Sequence, residues 1–484
     1  MTLPGIVASM TEIHELTALQ LWRALQRGQV GVLEVTDHYL GRIERLNPQL
    51  GAFHTVAAEY ARTRARHVEA EITKTAPLWG MPYGDKDLVR RAGIRTTFGS
   101  RLFGDFVPDE SDELVHQFDA AGAVSLGKTA TPEFGLPSYT ENLVAGAARN
   151  PYDLDLGPGG SSGGAAVAVA AGMLPFAPGS DGGGSIRIPA AACGLVGLKP
   201  SRGLIPGGSG QDAVAGLPVA GPIARSVQDA AFLLDGMIAR SGERIRYEYT
   251  LRAPTDDDGL FLGAAIRGEG RFQIGATTFS PWEAAYDITI DADARAAYES
   301  ARDALVALGH GLEEFTPEPA PEYAPAFRVI WQTGAALIPA DESTEHLLEP
   351  LTRWLMHRGR ALSAADLATA LATLAAYERS IIRQFASYDA VLTPTLAMTP
   401  RPVGWFDADD GERNFAQQVQ YTPFTSFANV TGLPAITLPV HRTASGLPMG
   451  AQLVGRPGGE ATLLAIGRQL ERSIGWDRVH PPVW

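Results

Sequence analysis

Two short glycine-rich segments, each carrying serine, constrain this chain more than any other feature. Residues 157–164 read Gly-Pro-Gly-Gly-Ser-Ser-Gly-Gly and residues 181–189 read Asp-Gly-Gly-Gly-Ser-Ile-Arg-Ile-Pro, bridged by a run rich in alanine and valine. Glycine is favoured where a chain takes positive φ or where backbone approaches a ligand closely. With 53 glycines in the chain, one such nest reads as an ordinary turn. Two so close together suggest N–H donors and hydroxyls converging on an oxygen, the layout of a serine nucleophile beside an oxyanion hole.

A third element lies upstream, where Gly80-Met81-Pro82-Tyr83-Gly84-Asp85-Lys86-Asp87 places a lysine between carboxylates. Alone it reads as a solvated loop. It is accompanied by Gly127-Lys128-Thr129, Glu133-Phe134-Gly135, Thr140-Glu141-Asn142, Arg149-Asn150-Pro151, Cys193-Gly194-Leu195-Val196-Gly197-Leu198-Lys199-Pro200, Leu392-Thr393-Pro394-Thr395 and Gly432-Leu433-Pro434-Ala435-Ile436. With these and both nests the chain resembles the amidase signature family of serine hydrolases over most of residues 15–475.

The resemblance implies a compact α/β/α fold, and strands alternating with helices imply a mixed, largely parallel central sheet covered by helices on both faces. It implies one domain over 12–484, with a signature core at about 75–230 and less typical substrate-pocket segments at about 240–430. Residues 1–11 are expected to form a flexible extension. Carried over residue by residue, it makes Ser185 the nucleophile, Ser161 a bridging serine on a cis peptide bond, and Lys86 the general base. The oxyanion donors are expected from the backbone of Gly182, Gly183, Gly184 and Ser185. Gly182 stands where many members carry Thr, Ile or Ala. Asp181, Arg187 and Ser162 are expected to hold the nests in place.

Lysine serves as a base only when neutral, so its reference pKa of about 10.4 must fall by roughly three units. Burial can do this, whereas a close carboxylate would do the opposite. Lys86 is therefore expected in a dry pocket, held by Ser161 rather than by Asp85 or Asp87.

Two generic motifs compete with this reading. Gly122-Ala-Val-Ser-Leu-Gly127-Lys128-Thr129 satisfies the phosphate-loop pattern, but residues 113–121 look helical, Gly122 ends that helix and 123–126 read as a buried strand, the reverse of the order a phosphate loop needs. G-x-S-x-G occurs at 159–163 and 160–164, yet the preceding Tyr152-Asp-Leu-Asp-Leu-Gly-Pro-Gly is loop-like rather than the strand a nucleophile elbow requires. The downstream histidines, among them His310, His346, His357, His441 and His480, sit in no recognisable site.

A formal charge of −14 disfavours binding to a phosphate backbone, so no nucleic-acid partner is expected. The apolar 165–171 segment is too short to span a bilayer, and residues 1–10 lack the features of a signal peptide, so no membrane partner is expected. The one cysteine, Cys193, reads as a packing residue and fits a reducing, cytoplasmic setting. No H-E-x-x-H and no cysteine pair occur, so neither metal nor other cofactor is expected. A monomer or homodimer is expected.

Hydrophobic spacing predicts helices at 17–26, 34–46, 57–74 and 163–171 and strands at 123–126, 195–198, 274–277, 390–393, 435–440 and 451–454. The 163–171 helix would aim its positive end at the catalytic centre.

The expected reaction is cleavage of the C–N bond of carboxylic amides through an acyl-enzyme, on hydrophobic, aryl or medium-chain amides and also carbamates, hydrazides or esters. Tyr139, Thr140, Trp331, Trp405, Phe406, Tyr421 and Phe424 are the candidate pocket residues. The alternatives are an amidotransferase A-type subunit working with partner subunits, and a catalytically silent scaffold. For the amidotransferase, the resemblance implies an acid ahead of Asn429 that holds the glutamine amino group. Gln420-Tyr421-Thr422-Pro423-Phe424 contains none.

Overall fold

The computed structural model describes residues 12–205, 213–238 and 261–484, and the expected extension at 1–11 lies outside the described residues. A small sheet holds β1 (Phe53–Val56), β2 (Pro82–Lys86) and β3 (Val124–Thr129), with β3 in the middle, antiparallel to β1 and parallel to β2. β4 (Glu141–Asn142) and β5 (Gly146–Ala147) form a short hairpin. The large sheet contains β6 (Phe176–Asp181), β7 (Val196–Lys199), β8 (Val219–Ala224), β9 (Gln273–Ala276), β10 (Gly311–Glu314), β11 (Ala390–Pro394), β12 (Ala435–Arg442) and β13 (Pro448–Gly455). Its order is β10-β9-β11-β13-β12-β7-β8-β6.

This α/β sheet is mixed and flanked by helices, but it is not largely parallel. Only β10-β9 and β9-β11 pair parallel. The other five pairings are antiparallel. One reason is local: a short turn joins β12 to β13, and a short turn can join only antiparallel neighbours. β6 and β8 were also invisible to hydrophobic patterning because both contain proline and glycine. Proline is tolerated in a strand at a sheet edge, where β6 lies, and Pro178 faces Pro222 at a register where neither residue can donate.

The predicted helices and strands are present with shifted ends. Thr17 caps Ala18–Gln26 reciprocally, its Oγ1 accepting from Gln20 N and its N–H donating to Gln20 Oε1. The next two helices run Val32–Leu50 and Ala58–Glu71. The phosphate-loop match falls on β3 itself, which follows the helix Glu113–Ala120, so Lys128 is a buried strand residue. Among the described residues, no helix is long and apolar enough to cross a membrane.

Two passages into helices position the site, the first from a loop and the second from a strand. The first nest opens the helix Gly163–Ala170, all of it buried, which is what a helix apolar on every side requires. A side chain at Gly164 would stand 2.2 Å from Ala130 N and 2.5 Å from Ala52 O, so only glycine lets this helix lie against the small sheet. The second nest links the end of β6 to the helix Arg187–Ala192. Lys86, at the end of β2, completes the convergence.

Candidate active site

Lys86 is buried, and its Nζ lies 2.9 Å from Ser161 Oγ, 3.0 Å from Ser180 Oγ and 3.3 Å from the Ser180 carbonyl oxygen. The carboxylates beside it in sequence are engaged elsewhere. Strand alternation sends Asp85 to the other face, where Oδ2 accepts from Arg91 Nε at 2.7 Å and Ser125 Oγ at 2.7 Å. Asp87 accepts from the N–H and hydroxyl of Thr97 and pairs with His54 Nδ1 at 3.0 Å. Burial pushes the Lys86 ammonium down to about 7, with the charge of Asp181 pulling the other way.

The two nests are clipped together by backbone and by Ser162. Ser162 N–H donates to the Ser185 carbonyl at 3.1 Å, its hydroxyl donates to the Ser180 carbonyl at 3.2 Å, and Ser180 N–H donates back to Ser162 Oγ at 3.3 Å. The Gly160–Ser161 peptide bond is cis.

Beneath the second nest lies a fully buried ion pair. Arg187 Nη2 and Nε meet Asp181 Oδ1 and Oδ2 at 2.9 and 3.0 Å. The remaining guanidinium protons reach the Thr425 carbonyl at 2.8 Å, Gln452 Oε1 at 2.6 Å and Asn429 Oδ1 at 2.7 Å. Burial alone would raise the Asp181 carboxyl, but the Arg187 charge overrides it and holds the group at about 2. The carboxylate also accepts from Gly184 N–H at 2.7 Å and Ile186 N–H at 3.1 Å.

That bond removes Gly184 from the four expected oxyanion donors, because its N–H is already committed. Gly184 is glycine for another reason: φ is 131°, and a Cβ there would lie 2.3 Å from Thr425 Oγ1. The N–H groups of Gly182, Gly183 and Ser185 have no acceptor among the described residues.

Ser185 faces two cavities. The larger, about 410 Å³, is lined by Ser161, Ser180, Gly182 and Ser185 at one end and by Phe98, Phe103, Phe134, Leu337 and Ile338 among its apolar walls. Phe98 and Phe134 both hold left-handed backbone, φ 53° and 51°, and are braced by the Phe134 N–H bond to the Phe98 carbonyl at 2.7 Å. The smaller cavity, about 60 Å³, adjoins Gly183, Gln418, Thr422 and Ser426. Trp331 and Leu136 border both, and among the described residues neither wall carries a charged side chain.

Of the seven pocket candidates from the sequence, only Trp331 lines these cavities. Tyr139 stacks on Phe406 with centroids 4.2 Å apart, and Trp405 and Tyr421 pack edge-on around Phe406 at 4.9 and 6.2 Å. Thr140 Oγ1 donates to the Gly159 carbonyl at 2.7 Å, holding the first nest from outside. Phe424 is fully buried, and its carbonyl accepts from Gln452 Nε2 at 2.8 Å. Sequence reasoning missed Ser180 as a partner of Lys86. Its place directly before Asp181 in the second nest was the available signal.

The amidase family profile matches residues 34–464. The chain belongs to the amidase family. As such it is an amide hydrolase of the amidase signature type. It is 38% identical over 468 residues to AmiB2 of Mycobacterium bovis, whose name assigns it provisionally to the amidases, covering 95% of this chain and 96% of that one. It is also 33% identical over 495 residues to the A-type subunit of the glutamyl-tRNA(Gln) amidotransferase of Roseiflexus, covering 96% and 98%. Among solved structures, 6-aminohexanoate cyclic dimer hydrolase superposes with a TM-score of 0.88 at 30% identity, over 97% of this amidase and 99% of that chain. A bacterial aryl acylamidase shares the fold, with a TM-score of 0.83 at 24% identity over 97% and 98% of the two chains.

Proposed function

We propose that this amidase hydrolyses small-molecule amides bearing a bulky apolar group on one side of the scissile bond and a small group on the other, through Lys86, Ser161 and Ser185. The observation that carries the reading is Lys86 itself: a buried amine with no carboxylate of the described residues in hydrogen-bond reach, 2.9 Å from Ser161 Oγ, at the end of a cavity whose described lining is uncharged and includes Ser185.

In its neutral form the amine has two protons and one lone pair. The Ser180 carbonyl can only accept, and the Ser180 hydroxyl can take the second proton, which turns the lone pair toward the Ser161 hydroxyl. As Ser185 Oγ attacks the carbonyl carbon, its proton passes to Ser161 while the Ser161 proton passes to Lys86. The negative charge that develops on the carbonyl oxygen meets the uncommitted N–H groups of Gly182, Gly183 and Ser185. The ammonium formed on Lys86 is disfavoured by burial and returns its proton through Ser161 to the departing nitrogen. The C–N bond breaks and the acyl group stays on Ser185, and water releases it by the same relay run again.

The two cavities support the substrate class: about 410 Å³ accommodates an aryl ring or a medium alkyl chain, and about 60 Å³ only a small group. The absence of charge among the described lining residues speaks against the amidotransferase reading, in which an acid would hold the amino group of glutamine. Carbamates, hydrazides and esters present the same carbonyl and are further candidates.

A fluorophosphonate probe is expected to label the parent protein and not Ser185→Ala. Absence of labelling in both would favour the silent scaffold. With Ser185→Ala as the blank, benzamide and hexanamide are expected to be cleaved faster than glutaminamide. A clear preference for glutaminamide would overturn the substrate reading.

A further inference from the structure

Gly182 has no reason of its own to be glycine. Unlike Gly184, it does not occupy left-handed backbone. A Cβ built there would stand 3.5 Å from Trp331 Cη2 and 3.6 Å from Trp331 Cζ3 and Pro218 Cγ, ordinary van der Waals separations. An alanine would therefore fit without moving anything. What the glycine leaves out is bulk, at a specific place: Gly182, Ser185, Pro218 and Trp331 all line the same end of the larger cavity.

The facing wall cannot withdraw to make up for added bulk. Trp331 stacks on Phe327 with centroids 5.4 Å apart at 18°, and Phe327 stands against Trp282 at 5.2 Å and 74°. Pro218 directly precedes β8, whose Val219 pairs with Asp181. A side chain at 182 would have to occupy cavity space rather than push neighbours aside.

We propose that Gly182 is a specificity-determining residue: the side chain it lacks keeps the cavity wide beside Ser185, so that a group branched or cyclic directly at the amide, such as an aryl ring, enters as readily as an unbranched chain. The inference rests on the proposed function, since it takes Ser185 as the attacking group. It concerns width at the reacting end of the cavity, which neither the volume of the cavity nor the family match defines.

The test compares benzamide with hexanamide, which share ammonia as leaving group and differ in bulk at the first acyl carbon. Gly182 also offers an N–H to the reaction, so its variants are read by the ratio of the two kcat/KM values, in which any common loss cancels. The benzamide-to-hexanamide ratio is expected to fall by about fivefold in Gly182→Ala and by about tenfold or more in Gly182→Val, the range that one or two methyl groups command in a tight apolar pocket. Adding Trp331→Ala to Gly182→Val is expected to bring the ratio back to within about threefold of the parent, because it removes the opposite wall. The same ratio is read without turnover from the labelling rates of an aryl and a linear-alkyl fluorophosphonate. Equal losses on both substrates in the Gly182 variants, with no recovery in the double variant, would overturn the inference and leave the proposed function standing. A parent protein that neither cleaves an amide nor labels at Ser185 would overturn both.

Discussion

Lys86 and Lys199 are both buried, and burial pushes each of them down to about 7. Their surroundings differ entirely. Lys86 stands at the end of β2 among two serine hydroxyls beside an open cavity. Lys199, at the end of β7, donates to the Pro200 carbonyl at 2.8 Å, and among the described residues no hydroxyl lies within its reach. The charge of Asp181 opposes the shift of both, but a positive charge on Arg187 also helps depress Lys199 and does not act on Lys86. A depressed pKa therefore marks burial. What makes a base is a proton donor in front of the lone pair and room beyond it for a substrate.

The sharpest break of this comparison is Lys86→Met, expected to lower kcat/KM on amides by about 10² to 10⁴ while the far-ultraviolet spectrum stays unchanged. A loss of less than tenfold would place the base elsewhere. Next in size is Arg187→Met, which leaves Asp181 buried and unpaired. It is expected to cost about 3–5 kcal/mol in urea unfolding, as breaking one side of a buried ion pair does. A cost near zero would show that Asn429 and the backbone amides satisfy Asp181 unaided.

With Lys86 as the proposed base, the neutral form is the working one and sets the sign of the pH dependence. Below the Lys86 pKa the amine is charged and holds no lone pair, so kcat/KM is expected to rise about tenfold per pH unit and to level off near pH 7. A profile flat between pH 5 and 7 would contradict this assignment. The smallest effect sharpens the comparison most: Lys199→Met is expected to leave kcat/KM within about threefold and the midpoint of that profile in place. If it shifts the midpoint instead, Lys199 and Lys86 titrate as a coupled pair.

The two nests and the helix after Ser161 were legible because runs of glycine and serine have few structural reasons to recur so close together. Lys86 was reached only through the resemblance, since its own turn reads as a solvated loop. Apart from Trp331, the cavity was not legible, for the opposite reason. Its walls come from Phe98, Phe103, Phe134 and the helix Tyr323–Ala336, apolar residues indistinguishable in sequence from core. Tyr139, Trp405, Phe406 and Tyr421 look equally suited to a pocket and went into an aromatic cluster instead. Two strands, β6 and β8, were hidden by the prolines they align. The parallel bias expected of the large sheet failed because strand direction is set by connections rather than by composition.

The single cysteine has a practical consequence. Cys193 is completely buried, and burial pushes its thiol up, away from the reactive thiolate. The native protein thus offers alkylating reagents almost nothing to modify. Leu337, by contrast, borders the large cavity and is 73% exposed. A cysteine introduced there would be the one thiol that an environment-sensitive dye could find, giving an optical report of ligand entry from a chain that needs no cysteine removed first.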